Sequence, residues 1–145
     1  MYIRLTADMA VAAQISPADC AVAAAQGFAV MICNRPDDED AGQPSAAVMR
    51  VAAVAAGLRY VHIPVDAAGI GEAQISAMAD ELAAAELGGS RVLAYCRSGT
   101  RSTNLWALAA ATRGGDAEAI AAAAARGGFN VSGMLPVLRG LAAKA

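Results

Sequence analysis

Val92-Leu93-Ala94-Tyr95-Cys96-Arg97-Ser98-Gly99-Thr100-Arg101-Ser102 is the stretch that decides how this chain of 145 residues is read. Its first four residues are apolar, few and abruptly stopped, the pattern of a buried strand. A compact loop comes next, with a cysteine at one end, an arginine at the other and a glycine between. Thr103 to Thr112 then reads as a helix. A strand that feeds a tight loop onto a helix N-terminus builds an anion site: the loop N–H groups converge and the helix dipole adds partial positive charge. The same field favours a thiolate, so Cys96 is expected to be a better nucleophile than an ordinary thiol. Arg101 supplies a planar fork for two oxygens of a phosphate or sulfate-like group. The N–H groups of Arg97, Ser98, Gly99, Thr100 and Arg101 are expected to hold developing negative charge. Ser102 or Thr100 is placed to bond the sulfur or assist a second step.

Working outward, strands and helices alternate. Tyr2 to Leu5 and Met9 to Ala13 read as short strands. Ser16-Pro17-Ala18-Asp19 reads as a helix start, with serine as cap and proline in the first turn. Phe28 to Cys33 is a β-branched apolar run, and Asn34 to Gln43 an acidic loop. Pro44 to Ala56 reads as a helix with Val48, Val51, Ala52 and Ala55 on one face. Tyr60 to Val65 is the next strand and Asp66 to Gly71 a loop. Glu72 to Leu87 is a helix that buries Ile75, Met78, Ala79 and Leu82. After the Thr103 helix, Asp116 caps another helix to about Arg126, and Ser132 starts a last one. This alternation predicts an α/β domain spanning 1–145, with a mainly parallel sheet of four or five strands and helices on both faces. Ligands bind at the carboxyl ends of such strands, where Arg35, Asp66 and Cys96 all fall.

Composition excludes several classes. Eleven Lys and Arg against thirteen Asp and Glu give a net charge of −2, which argues against a nucleic-acid partner. Hydrophobic content is 57%, much of it alanine, which fits helices. No apolar run approaches the roughly 18 residues of a membrane span, and the start shows no signal-peptide pattern. Three cysteines without metal-type spacing point to free thiols in a reducing compartment, with the cytoplasm expected. No metal and no cofactor is implied. The expected partner is a phosphorylated or otherwise anionic substrate.

If the leaving group is an alkoxide, a general acid is needed. Asp66, just past a strand end, is the candidate; its alternative role is to cap a turn before Gly69. Arg35 could widen the positive rim as a substrate-binding residue. The acidic run Asp37 to Asp40 reads as a solvated loop. His62 reads as a packed or surface histidine, Trp106 as core behind the site, and Cys20 and Cys33 as small buried residues. Cys33 has a second reading as a redox-coupled thiol.

Four segments carry a resemblance: Asn34-Arg35-Pro36-Asp37, Gly42-Gln43-Pro44-Ser45, Tyr60 to Val65, and Tyr95 to Ser102. Together, and in order, they resemble the bacterial beta-lactamase hydrolase-like, phosphatase-like domain family, members of which are also labelled sulfur transferases. The resemblance covers nearly the whole chain. It implies a protein tyrosine phosphatase-like fold, Cys96 as nucleophile, Arg101 as the phosphate-binding arginine, and Asp66 where dual-specificity phosphatases keep their acid. Two departures stand out. Tyr95 replaces the histidine of the usual His-Cys-x5-Arg pattern, and only four residues separate Cys96 from Arg101. Rhodaneses carry a similar cysteine loop, but with an Asp-x-Arg segment where this chain has Asn34-Arg35-Pro36. Three functions therefore stand side by side: a cysteine-dependent phosphatase, a sulfurtransferase or sulfur carrier working through a Cys96 persulfide, and a module that binds an anion without turnover.

Overall fold

A computed structural model describes residues 2–145. The chain opens with a hairpin of β1 (Ile3–Thr6) and β2 (Met9–Ala12), followed by α1 (Asp19–Ala25), β3 (Phe28–Cys33), α2 (Ala46–Ala55), β4 (Arg59–His62) and α3 (Glu72–Gly88). Then come β5 (Arg91–Tyr95), α4 (Thr100–Thr112), α5 (Ala117–Arg126), a 3-10 turn over Ser132–Met134 and α6 (Leu135–Ala143). These strands form one five-stranded sheet in the order β1-β2-β5-β3-β4. The β1–β2 pair is antiparallel, whereas β2–β5, β5–β3 and β3–β4 run parallel.

The period of two in each strand divides the core into two layers. Val92 and Ala94 of β5, with Val30 and Ile32 of β3, pack under α3, α4, α5 and α6. Leu93 and Tyr95, with Met31 and Cys33, pack under α1 and α2. Both faces of β5 are thus covered, which is why its sequence is a continuous apolar run. The cysteine loop hangs from the middle of the sheet.

Three details differ from the sequence reading. The helix after the loop begins at Thr100, not Thr103, so Arg101 and Ser102 sit in its first turn. Helix α1 begins at Asp19, and Ser16 is not its cap; Asp19 Oδ2 instead accepts from the Ser16 N–H at 2.7 Å and hydroxyl at 3.1 Å. In α2, Val48 and Val51 face solvent, at 52% and 72% exposure, while Ala46, Met49 and Ala53 are buried. Nearly every position of that helix is apolar, so periodicity does not choose a face. Packing chooses the one where two alanines let the helix approach the sheet and Met49 fills the gap.

Candidate active site

The loop after β5 is pinned from both neighbouring strands. Cys96 N donates to Ala12 O at 3.3 Å, and Asn34 N donates to Tyr95 O at 2.8 Å. Gly99, at φ 91°, turns the chain into α4 and brings its own N–H back to Cys96 Sγ at 3.1 Å. Only glycine adopts that φ without strain, and a Cβ there would meet Phe129 Cζ at 3.1 Å. Thr103 Oγ1 donates to Gly99 O at 2.8 Å, and Ser98 Oγ donates to Thr100 Oγ1 at 3.1 Å, which fixes the turn from inside. Cys96 lies at the floor of this loop with 0% exposure.

Arg101 points its fork at a carboxylate. Its Nη1 and Nη2 donate to Glu39 Oε2 and Oε1 at 2.9 and 2.8 Å, and Nη1 also reaches Val65 O at 2.8 Å. This is the bidentate geometry by which arginine holds phosphate. Glu39 Oε1 also accepts from Arg35 Nε at 2.9 Å. The hydrogen bonds from Arg101 are the main reason the Glu39 carboxyl is held down to about 2; burial opposes them and Arg35 adds to them. Arg101 is in turn kept charged, first by Glu39 and further by the Cys96 sulfur beside it.

These contacts correct two expectations. The acidic run is not a solvated bystander: Glu39 occupies the arginine fork, and Asp37 Oδ1 accepts from Ala46 N at the start of α2. Arg35 does not widen the rim. It is 3% exposed, with Nη1 on Gln14 Oε1 at 2.9 Å and Nη2 on Asp40, so it reaches the site through the carboxylates of Glu39 and Asp40.

The remaining candidates fall as follows. Asp66 is exposed and lies on the same groove as Arg101. Its Oδ1 accepts from Ala68 N at 2.9 Å, the turn-capping role, while Oδ2 makes no hydrogen bond among the described residues. Ser102 is fully buried and its Oγ has no partner among the described residues, an unusual condition for a buried hydroxyl. Arg97 is largely exposed, with Asp40 3.8 Å away. Asn34, to which the sequence alone assigns no role, is buried: its Nδ2 donates to Ile63 O at 3.0 Å and its backbone carbonyl accepts from Val65 N, while its Oδ1 has no partner among the described residues. It ties the end of β3 to the segment that carries Asp66. The signal for it is its place at the head of the Asn34-Arg35-Pro36-Asp37 segment.

A second thiol environment lies next door. Cys33 pairs in register with His62 on β4 and Tyr95 on β5. Its Sγ and His62 Nε2 share the Arg35 carbonyl at 3.4 and 2.8 Å, and the Tyr60 and Tyr95 hydroxyls meet at 2.7 Å. Burial pushes the Cys33 thiol up, but the polar groups around it, His62 first and then Tyr95, the Arg35 backbone and Tyr60, outweigh burial and the net direction is down. The Cys33 contact raises His62. All three cysteines are free thiols.

The similarity of the chain to known proteins agrees with this geometry. Residues 2–113 match the family model described as beta-lactamase hydrolase-like protein, phosphatase-like domain. The chain belongs to that family. The family's curated beta-lactamase hydrolase-like proteins include one from Agrobacterium fabrum, 39% identical over 112 residues, or 77% of this chain. Another, from Xylella fastidiosa, is 40% identical over 85 residues, or 59% of this chain. The chain spans 25% and 19% of the length of these two relatives. Among solved structures, a provisionally assigned phosphatase from Neisseria meningitidis is 30% identical, with a TM-score of 0.74 over 96% of both chains. Tk-PTP in its active form, 17% identical, superimposes with a TM-score of 0.73 over 99% of this chain and 97% of that one. Kinase associated phosphatase, 13% identical, gives 0.74 over 99% and 95%. The family is thus phosphatase-like in sequence and has the protein tyrosine phosphatase-like fold. No helix among the described residues is long and apolar enough to cross a membrane.

Proposed function

We propose that this domain hydrolyses a phosphomonoester through a thiophosphoryl intermediate on Cys96. The observation that carries this reading is the pairing of two features on one loop: a buried sulfur that accepts the Gly99 N–H, and an arginine fork already shaped around two carboxylate oxygens. The anion replaces Glu39 in that fork, and the N–H groups of the loop and the α4 N-terminus take up its charge. The Cys96 thiolate attacks phosphorus, the S–P bond forms and the P–O bond to the alcohol breaks. Asp66, protonated on Oδ2, gives its proton to the departing alkoxide. Water then attacks phosphorus, its proton returns to Asp66, phosphate leaves and the thiolate is restored.

A second reading is favoured by the four-residue spacing between Cys96 and Arg101 and by the Asp66 carboxylate that holds a turn. In it, Cys96 takes a sulfane sulfur from an anionic donor such as thiosulfate, releasing sulfite and leaving a persulfide that a second nucleophile discharges. No acid is required. The test is paired: aryl phosphate hydrolysis and thiosulfate-to-cyanide sulfur transfer, on wild type, Cys96→Ser and Asp66→Asn. Phosphate release that vanishes in Cys96→Ser and falls in Asp66→Asn is the expected result. Sulfur transfer without phosphate release, indifferent to Asp66→Asn, would replace the first reading by the second.

A further inference from the structure

A groove of ≈ 500 Å³ runs from Arg101 along the flank of α4. One wall is Val65, Ile70 and Ile75; the other is Leu108, Met134 and Val137. Among the described residues that line it, the charged ones are Arg101 and Asp66, together at its head, and Asn104 is the one further polar side chain. Its volume falls within the roughly 300–1,000 Å³ of small-molecule sites. Met134 and Val137 come from the segment after residue 113, where the family match ends.

The chemistry of the walls restricts what can lie there. A phosphopeptide would bring several backbone amides into a groove with one amide side chain to meet them, and a sugar or nucleoside would bring hydroxyls; both leave polar groups unpaired. An uncharged alkyl or aryl body meets the walls on their own terms, while its anionic head lies at the cation. We propose that the substrate is a phosphomonoester of an apolar alcohol, whose alkyl or aryl body occupies this groove while the phosphate binds Arg101. This rests on the hydrolytic reading for the choice of phosphate, and its test separates the two.

Alkylphosphonates present the same head and body and resist hydrolysis, so they report binding without turnover. Calorimetry with methyl-, propyl- and hexylphosphonate on the wild-type domain is expected to show affinity rising with chain length. Full burial of a methylene corresponds to about fourfold; an open groove should give roughly two- to threefold per carbon. Val137→Asp, at a position 54% exposed, is expected to flatten that slope with the melting temperature close to that of wild type. Val51→Asp, exposed on α2 across the sheet, is expected to leave it as in wild type. A flat series in wild type, or an undiminished slope in Val137→Asp, would overturn the proposal. Phosphate release from hexyl phosphate is followed in parallel. A rising slope without release would defeat the hydrolytic reading alone, and release with a flat slope would defeat the groove alone.

Discussion

Two adjacent strands, β3 and β5, each deliver a cysteine to the same end of the sheet, and the two thiols live in opposite chemistry. Cys96 has an N–H group, a helix N-terminus and a guanidinium around it. Cys33 has an imidazole and two phenols, all from residues of the sheet itself. The difference lies in how the chain leaves each strand. After β5 a single left-handed glycine turns it into α4, so backbone donors converge on the sulfur. After β3 it wanders through residues 34–45 before α2 begins, and no helix end points back. That longer loop instead sends Glu39, braced by Arg35, across to the arginine of the other site. A strand's carboxyl end is a place for chemistry only when the next turn aims something at it.

The sharpest way to break this comparison is to exchange sulfur for oxygen in both places. Cys96→Ser should lower phosphomonoester turnover by at least about a thousandfold, as loss of a nucleophile does. Cys33→Ser should leave kcat/KM within about threefold and register mainly in the melting temperature. Equal losses of activity would mean that the Cys33 cluster takes part in the reaction. Next in size, Arg101→Ala should cost about 10²–10³ in kcat/KM, the scale for removing a preorganised charge-stabilising donor; a loss under tenfold would shift the anion site onto the loop N–H groups alone. On the Cys33 side, Tyr60→Phe strands the buried Tyr95 hydroxyl. It should destabilise the fold by about 1–2 kcal/mol in denaturant melts, with kcat unchanged. The smallest effect is electrostatic. Glu39 is held at about 2, below the ordinary glutamate value of 4.5, so its pairing stabilises the fold fully above pH 4.5 and loses that contribution as pH falls toward 2. Thermal melts across that window should fall less steeply in Glu39→Gln than in wild type, and parallel curves would show that the pair contributes nothing to folding.

Much of this arrangement is legible in the chain itself. The β5 run, the loop and the next helix are written in consecutive residues, so the covalent order carries the information. The same holds for β3, for α3 with its buried Met78, and for the alternation of strand and helix that makes the sheet mainly parallel. What escapes the sequence are contacts made by the fold. Glu39 and Arg101 are 62 positions apart, and an acidic run beside Pro36 and Gly42 looks the same whether it is solvated or folded onto a guanidinium. Arg35 looks like a rim cation until its burial against Gln14, Glu39 and Asp40 is seen. The helix start at Thr100 is obscured because Thr100, Arg101 and Ser102 read equally well as loop. The solvent-facing valines of α2 are obscured because an alanine-rich helix has no polar side to mark its outside.

The Glu39–Arg101 pair has one more consequence. On the proposed reaction, the domain carries its own competitive ligand, tethered on the loop after β3 and therefore present at high effective concentration. Every incoming anion is measured against that internal standard. One that offers a bare head group gains nothing from the groove, whereas one with a body of its own adds apolar contacts that Glu39 lacks. On the proposed reaction, the phosphate left after hydrolysis is such a bare head group. Glu39 can then reclaim the arginine as the product departs, so turnover ends with the site reset by the protein itself.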